Sequence, residues 1–153
     1  DPEQFTTDNK NILQKRYGGY KGGVREIKRL ERARTIHESA ALESASWGLF
    51  QIMGYHWKAL KYDSVEDFTQ RMMRSEAEQL EAFVRFIQRN RLDRWLRLKP
   101  GQSSLELNNF EKFAYRYNGP AYLRNKYHSK MFSAYKKYLP ETQDELIPLP
   151  NAA

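Results

Sequence analysis

Cysteine is absent from this 153-residue chain. That excludes a disulfide scaffold, a cysteine-based zinc site and a thiol nucleophile. It leaves the redox compartment open, because a cysteine-free domain works in either environment. Long apolar runs are also missing, and mean hydropathy is −0.87, which excludes a membrane span; no membrane partner is expected. The opening residues, Asp1-Pro2-Glu3-Gln4, are polar and acidic and lack the pattern of a signal peptide. Histidine is scarce: His37, His56 and His128, no two spaced as a ligand pair. His37-Glu38-Ser39-Ala40-Ala41 begins like the zinc motif H-E-x-x-H, but Ala41 stands where the second histidine belongs. No metal and no cofactor is expected. The pairs Gly18-Gly19 and Gly22-Gly23 lack the spacing of a phosphate-binding loop, and no strand precedes them. Ser44 and Ser46 lack the G-x-S-x-G elbow of a nucleophilic serine.

Positive charge is what the chain has in excess. Lys+Arg 26 against Asp+Glu 19 leaves +7, with a pI of about 9.6. Such a surface favours polyanions: nucleic acid, anionic membrane or bacterial cell wall. No helix-turn-helix or RNA-binding signature accompanies the charge, so nucleic acid is not expected as a partner. A hydrophobic content of 40%, with 14% aromatic, is too rich for a disordered chain. The length suits one domain that buries roughly two thirds of its unfolded surface.

Apolar residues recur at helical spacing through most of the chain. Residues 1–23 read as irregular, with Tyr20-Lys21 between the two glycine pairs. Val24, Ile27, Leu30 and Ile36 then mark a helix whose polar face carries Arg25, Lys28, Arg29, Arg32 and Arg34. Ser64-Val65-Glu66-Asp67 resembles a capping box with Asp in the last place, opening a helix through Phe68 and Met72. Ser75-Glu76-Ala77-Glu78 repeats the device, and Leu80, Phe83, Val84 and Ile87 are expected on one stripe. A short helix is expected from Arg94 to Leu98, stopped at Pro100-Gly101. Another runs from Asn109 through Phe110, Phe113, Ala114 and Tyr117 to a break at Asn118-Gly119-Pro120. The last is expected from Ser129 to Tyr138. No convincing strand, internal repeat or low-complexity block is visible. The reading is all-α, several short helices in a single domain over 1–140, with 141–153 as a flexible tail.

Two segments carry candidate chemistry. Between Ala41 and Tyr55, small residues and a glycine sit among large apolar ones, with Gln51 the one polar side chain between Phe50 and Ile52. A glutamine there must find hydrogen bonds or face a cleft. A sugar suits such a cleft, because amides bind its hydroxyls and rings cover its apolar faces; a buried helix with a satisfied glutamine suits the pattern equally. Tyr117-Asn118-Gly119-Pro120 puts two polar groups at a helix end where glycine lets a ligand approach the backbone. A plain Asn-Gly helix cap is the simpler account of that segment alone.

Together the segments resemble the lysozyme superfamily. Ser46-Trp47-Gly48-Leu49-Phe50-Gln51-Ile52-Met53 looks like the S-x-G-L-M-Q stretch of lytic transglycosylases and goose-type lysozymes, and Tyr117 to Pro120 looks like their Y-N-x-G segment. Arg29 to Ala33, Ser44 to Gly54, Ser75 to Phe86 and Arg116 to Pro120 are similar to the N-acetylmuramidase domain of phage endolysins. The resemblance covers the chain from about Asp1 to Tyr138. It implies a lysozyme-like bundle and cleavage of peptidoglycan next to N-acetylmuramic acid. That reaction needs a carboxylic acid to protonate the glycosidic oxygen.

The resemblance further implies that this acid is a glutamate in an E-S-G-like stretch upstream of Asp1, so the domain is expected to be N-terminally shortened. Within the chain Glu43 is the first candidate and Glu38 the second. Glu43-Ser44 stands ahead of the Gly-Leu-Phe-Gln run in the order found in transglycosylases, though closer to it. A solvated helix-end acid is the plainer account of Glu43. Ser46 and Gln51 would contact the sugar, and Tyr117 and Asn118 would line the opposite wall. Trp47 and Tyr55 would be core or sugar platforms, with core favoured for Trp47. Peptidoglycan is the implied partner and a monomer the expected state. The implied setting is a phage or prophage lysin made in the bacterial cytoplasm and acting on the wall, or a periplasmic or secreted enzyme. A lytic transglycosylase and an inactive wall-binding fragment remain as alternatives.

Overall fold

The computed structural model describes residues 8–10, 12, 20 and 22–139. The expected 141–153 tail and most of the expected irregular opening lie outside the described residues. Seven α-helices and one two-stranded sheet are present among those described. The chain divides into two compact units, residues 1–89 and 90–153. Among the described residues, no helix is long and apolar enough to cross a membrane.

The first unit begins with α1 (Val24–Arg34), then α2 (Glu38–Ser44), β1 (Ser46–Trp47) and β2 (Ile52–Met53). A 3₁₀ turn over Gly54–His56 follows, then α3 (Val65–Arg74) and α4 (Glu76–Arg89). The serine-led starts of α3 and α4 form as expected. Ser64 Oγ accepts from the Asp67 amide at 3.1 Å, and Ser75 Oγ accepts from the Glu78 amide at 3.2 Å. Each supplies one of the partners that a helix start leaves missing. His37, the start of the incomplete zinc motif, is the cap of α2: its ring Nδ1 accepts from the Ala40 amide at 3.2 Å. Among the described residues, no cluster of three histidine, aspartate or glutamate side chains is placed to hold a metal.

The core of this unit is Ile52, Leu60, Tyr62, Phe68, Met72 and Ala82, with Trp47, Phe50, Trp57, Phe83 and Phe86 packed against it. Two stripes read from the sequence differ in outcome. On α4 the inward line is Ala82, Phe83 and Phe86, while Leu80 is 51% exposed. Apolar residues surround this helix, so the period was legible and the phase was not. On α1 the expected stripe is largely uncovered: Val24 and Ile27 are exposed, and no residue of the helix is buried. The sheet was not expected. Two-residue strands are too short for an alternating pattern to register.

The second unit holds a 3₁₀ turn at Asp93–Trp95, α5 (Leu107–Asn118), α6 (Tyr122–Asn125) and α7 (Tyr127–Tyr138). The turn replaces the expected helix over 94–98. Phe110, Phe113 and Ala114 of α5 are buried, and Phe110 meets Phe132 and Tyr135 of α7 at ring separations of 5.6 and 5.4 Å. Helix α5 stops at Gly119, which has φ of 70°, as the Asn-Gly-Pro sequence required.

Candidate functional site

The hairpin of the first unit is built by its own side chains. Antiparallel pairing joins Ser46 to Met53 and Trp47 to Ile52. The four residues between them must turn tightly, and both ends of that turn use positive φ, 69° at Gly48 and 53° at Gln51. The second is unusual for a residue with a side chain and must be held in place. The side chain itself does much of the holding. The Ser46 hydroxyl donates to Gln51 Oε1 at 2.8 Å, and Gln51 Nε2 donates to the Gly48 carbonyl at 2.9 Å. Gln51 is thus held by internal hydrogen bonds, but in an exposed turn and not in the buried helix that the sequence left open.

The hairpin is seated on α2. Trp47 Nε1 donates to the Leu42 carbonyl at 3.0 Å, and the Gly54 amide donates to the Ala45 carbonyl at 2.8 Å. A Cβ at Gly54 would collide with the Leu42 carbonyl, so glycine is what lets the two segments approach. Trp47 is part-buried and packs against the core.

Beside the hairpin lies a cavity of about 1050 Å³. Helix α1 lines it with Ile27, Leu30 and Ala33, α2 with Ala40, Ala41 and Ser44, and the hairpin with Ser46, Trp47 and Gln51. An apolar wall with a few convergent polar groups is the usual make-up of a small-ligand site. Among the described residues that line the cavity, Glu26 is the one carboxylate. It is ion-paired to Arg29 at 3.1 Å and accepts from the Gly22 amide at 3.2 Å.

The structure thus brings Ser46 and Gln51 together on one cavity. Glu43 is not among the lining residues. Its carboxylate accepts the indole N–H of Trp57 at 2.8 Å. Glu38, the second candidate, is exposed and ion-paired with Arg34 of α1. In the second unit Tyr117 is half-buried and stacks on Phe113, with rings 5.5 Å apart and 12° from parallel. Burial pushes its hydroxyl up to about 12, so it stays protonated and can donate a hydrogen bond at any ordinary pH. Asn118 is exposed at the last position of α5. Glu26 and the apolar face of α1 were missed as lining residues. Their signal was faint, since Glu26 reads only as an acid in the first turn of a basic helix.

Short helices around a small hairpin, beside an apolar cleft with serine and glutamine at its floor, define a lysozyme-like protein. Residues 1–139 match the N-acetylmuramidase (Muramidase) family, and the chain belongs to it. Among solved structures, the Burkholderia AP3 phage endolysin crystal structure is similar, with 41% identity and a TM-score of 0.74. The match covers 89% of this chain and 49% of that one, so this chain spans about half the endolysin's length. No curated protein matches it.

Proposed function

We propose that this protein acts on the glycan strand of peptidoglycan as an N-acetylmuramidase, cleaving the β-1,4 bond next to N-acetylmuramic acid. The cavity beside the Ser46–Met53 hairpin carries the reading. Family membership and the likeness to a phage endolysin support it. In this reading the sugar ring lies against Trp47 and the α1 face, and its hydroxyls and acetamido groups meet Ser46 and Gln51. In the second unit, Tyr117 and Asn118 at the end of α5 offer polar groups of their own. The positive surface draws the protein to anionic wall. A peptidoglycan-degrading protein of phage or prophage origin acts at the wall, and a monomer suffices for that.

Protonating the glycosidic oxygen needs a carboxylic acid that is neutral before the reaction. Glu26, the described carboxylate that lines the cavity, is held by Arg29, while Glu43 and Glu38 lie outside the lining with Trp57 and Arg34 as partners. That observation favours a second reading, a module that binds the glycan without cutting it. Digestion of purified peptidoglycan, followed by borohydride reduction and mass spectrometry, separates the readings. Soluble fragments ending in reducible muramic acid are expected. Anhydro-muramic ends would make the protein a lytic transglycosylase, and wall binding without release would make it a binding module.

A further inference from the structure

Gln79, on α4, reaches back to a turn thirty residues earlier in the chain. Its Oε1 accepts from the Leu49 amide at 2.9 Å, and its Nε2 donates to the Met72 carbonyl at 2.8 Å. Both partners need it. The Leu49 amide lies in the turn and outside the ladder of the hairpin. Met72 lies in the last turn of α3, where carbonyls have run out of helical partners. The stem of Gln79 also lies over Gly48: a Cβ there would come within 2.9 Å of Gln79 Cγ and Cδ. One helical turn further along α4, Phe83 stacks on Phe50 of the same hairpin turn at 4.4 Å. The turn is therefore fastened to α4 at two points, one polar and one aromatic.

We propose that Gln79 is a positioning residue for the glycan site. It does not line the cavity. By fixing the Leu49 amide and covering Gly48, it sets where the Gly48 carbonyl stands. Gln51 is bound to that same carbonyl, so Gln79 sets how Gln51 and Ser46 meet a ligand. This role rests on reading the cavity as a glycan site.

Substitution Q79E tests the role, because it replaces the donating NH2 with an oxygen that donates only when protonated. A carboxylate keeps the bond from the Leu49 amide but faces the Met72 carbonyl with nothing to donate. A protonated carboxyl restores both bonds. The turn residues Gly48 to Gln51 carry no titratable group, and the neighbouring charges include Glu76, one turn back on α4, and Glu78 with its partners Arg71 and Arg74. Affinity for the tetramer of N-acetylglucosamine is measured for wild type and Q79E at pH 7.5 and 4.5. The readout is the affinity ratio of the two proteins at each pH, which removes any titration they share. Amide spectra confirm that the variant is folded. A loss of about tenfold at pH 7.5, shrinking to about twofold at pH 4.5, is expected, while Q79A loses affinity equally at both. Wild type that binds while Q79E shows the same ratio at both pH values overturns the proposal alone. Wild type that fails to bind the tetramer overturns the glycan reading, and this proposal with it.

Discussion

Glu43 accepts the indole N–H of Trp57 across 2.8 Å. The bond joins α2 to the segment after the hairpin, and Trp57 itself packs against the core. It assigns Glu43 a bracing role and faces its carboxylate toward protein. Glu43→Gln keeps an acceptor for that N–H, so stability should change by less than ~1 kcal/mol and glycan affinity should not change. Glu43→Ala leaves a part-buried donor unmatched and should cost ~1–3 kcal/mol in denaturant melts. A Glu43→Gln protein that binds glycan normally but has lost all cleavage would make Glu43 the acid and overturn the bracing role.

Gly54 is where the hairpin comes nearest to α2. Gly54→Ala puts a methyl group against the Leu42 backbone carbonyl, which cannot swing aside as a side chain can. A loss of ~2–4 kcal/mol is expected, together with loosening of the Gly54–Ala45 hydrogen bond. Thermal melts measure the first, and amide exchange at Gly54 measures the second. Phe68→Ala is the control in the same core. Phe68 has 0% exposure, so its loss should cost ~3–5 kcal/mol while leaving the Gly54–Ala45 approach free of any added group.

His56 gives the fold a pH dependence of definite sign. Its ring lies against Tyr55 at 4.2 Å and Phe86 at 5.0 Å. Burial lowers its pKa below the ordinary 6.5. The unfolded chain therefore binds the proton before the folded one does, and stability falls as pH drops below about 6.5. The loss continues until the folded ring also protonates. Glu66 and Asp67, lowered from 4.5 and 3.8, contribute only at more acidic pH. Melts of wild type from pH 7.5 to 5 should show falling stability, and His56→Phe should flatten that slope. An unchanged slope in the variant would remove His56 as its cause.

Much of this was legible because the signals were local. Ser64 and Ser75 cap the helices they precede, Gly119 ends α5, and the Trp-Gly-Leu-Phe-Gln run together with the Tyr117 to Pro120 segment pointed to the family. What escaped depends on residues far apart in sequence. Nothing near Glu43 announces that Trp57, fourteen residues on, takes its carboxylate. Nothing near Gln79 announces Leu49, although a glutamine four residues before Phe83 on the packed side of a helix was a hint. The hairpin escaped because its strands have two residues each, and its turn is held by side chains. The α1 stripe was read correctly as helical, yet the period could not say that this face would line a cavity.

The cavity between α1, α2 and the hairpin is the proposed seat of the glycan. Amide spectra of the isotope-labelled protein, recorded while the N-acetylglucosamine tetramer is added, test it residue by residue. Saturable shifts are expected at Ser46, Trp47, Gly48 and Gln51, including the Gln51 side-chain amide, with smaller shifts along Ile27 to Ala33. Absent shifts, or shifts confined to surfaces away from the hairpin such as Tyr55 to Lys61, would contradict that placement.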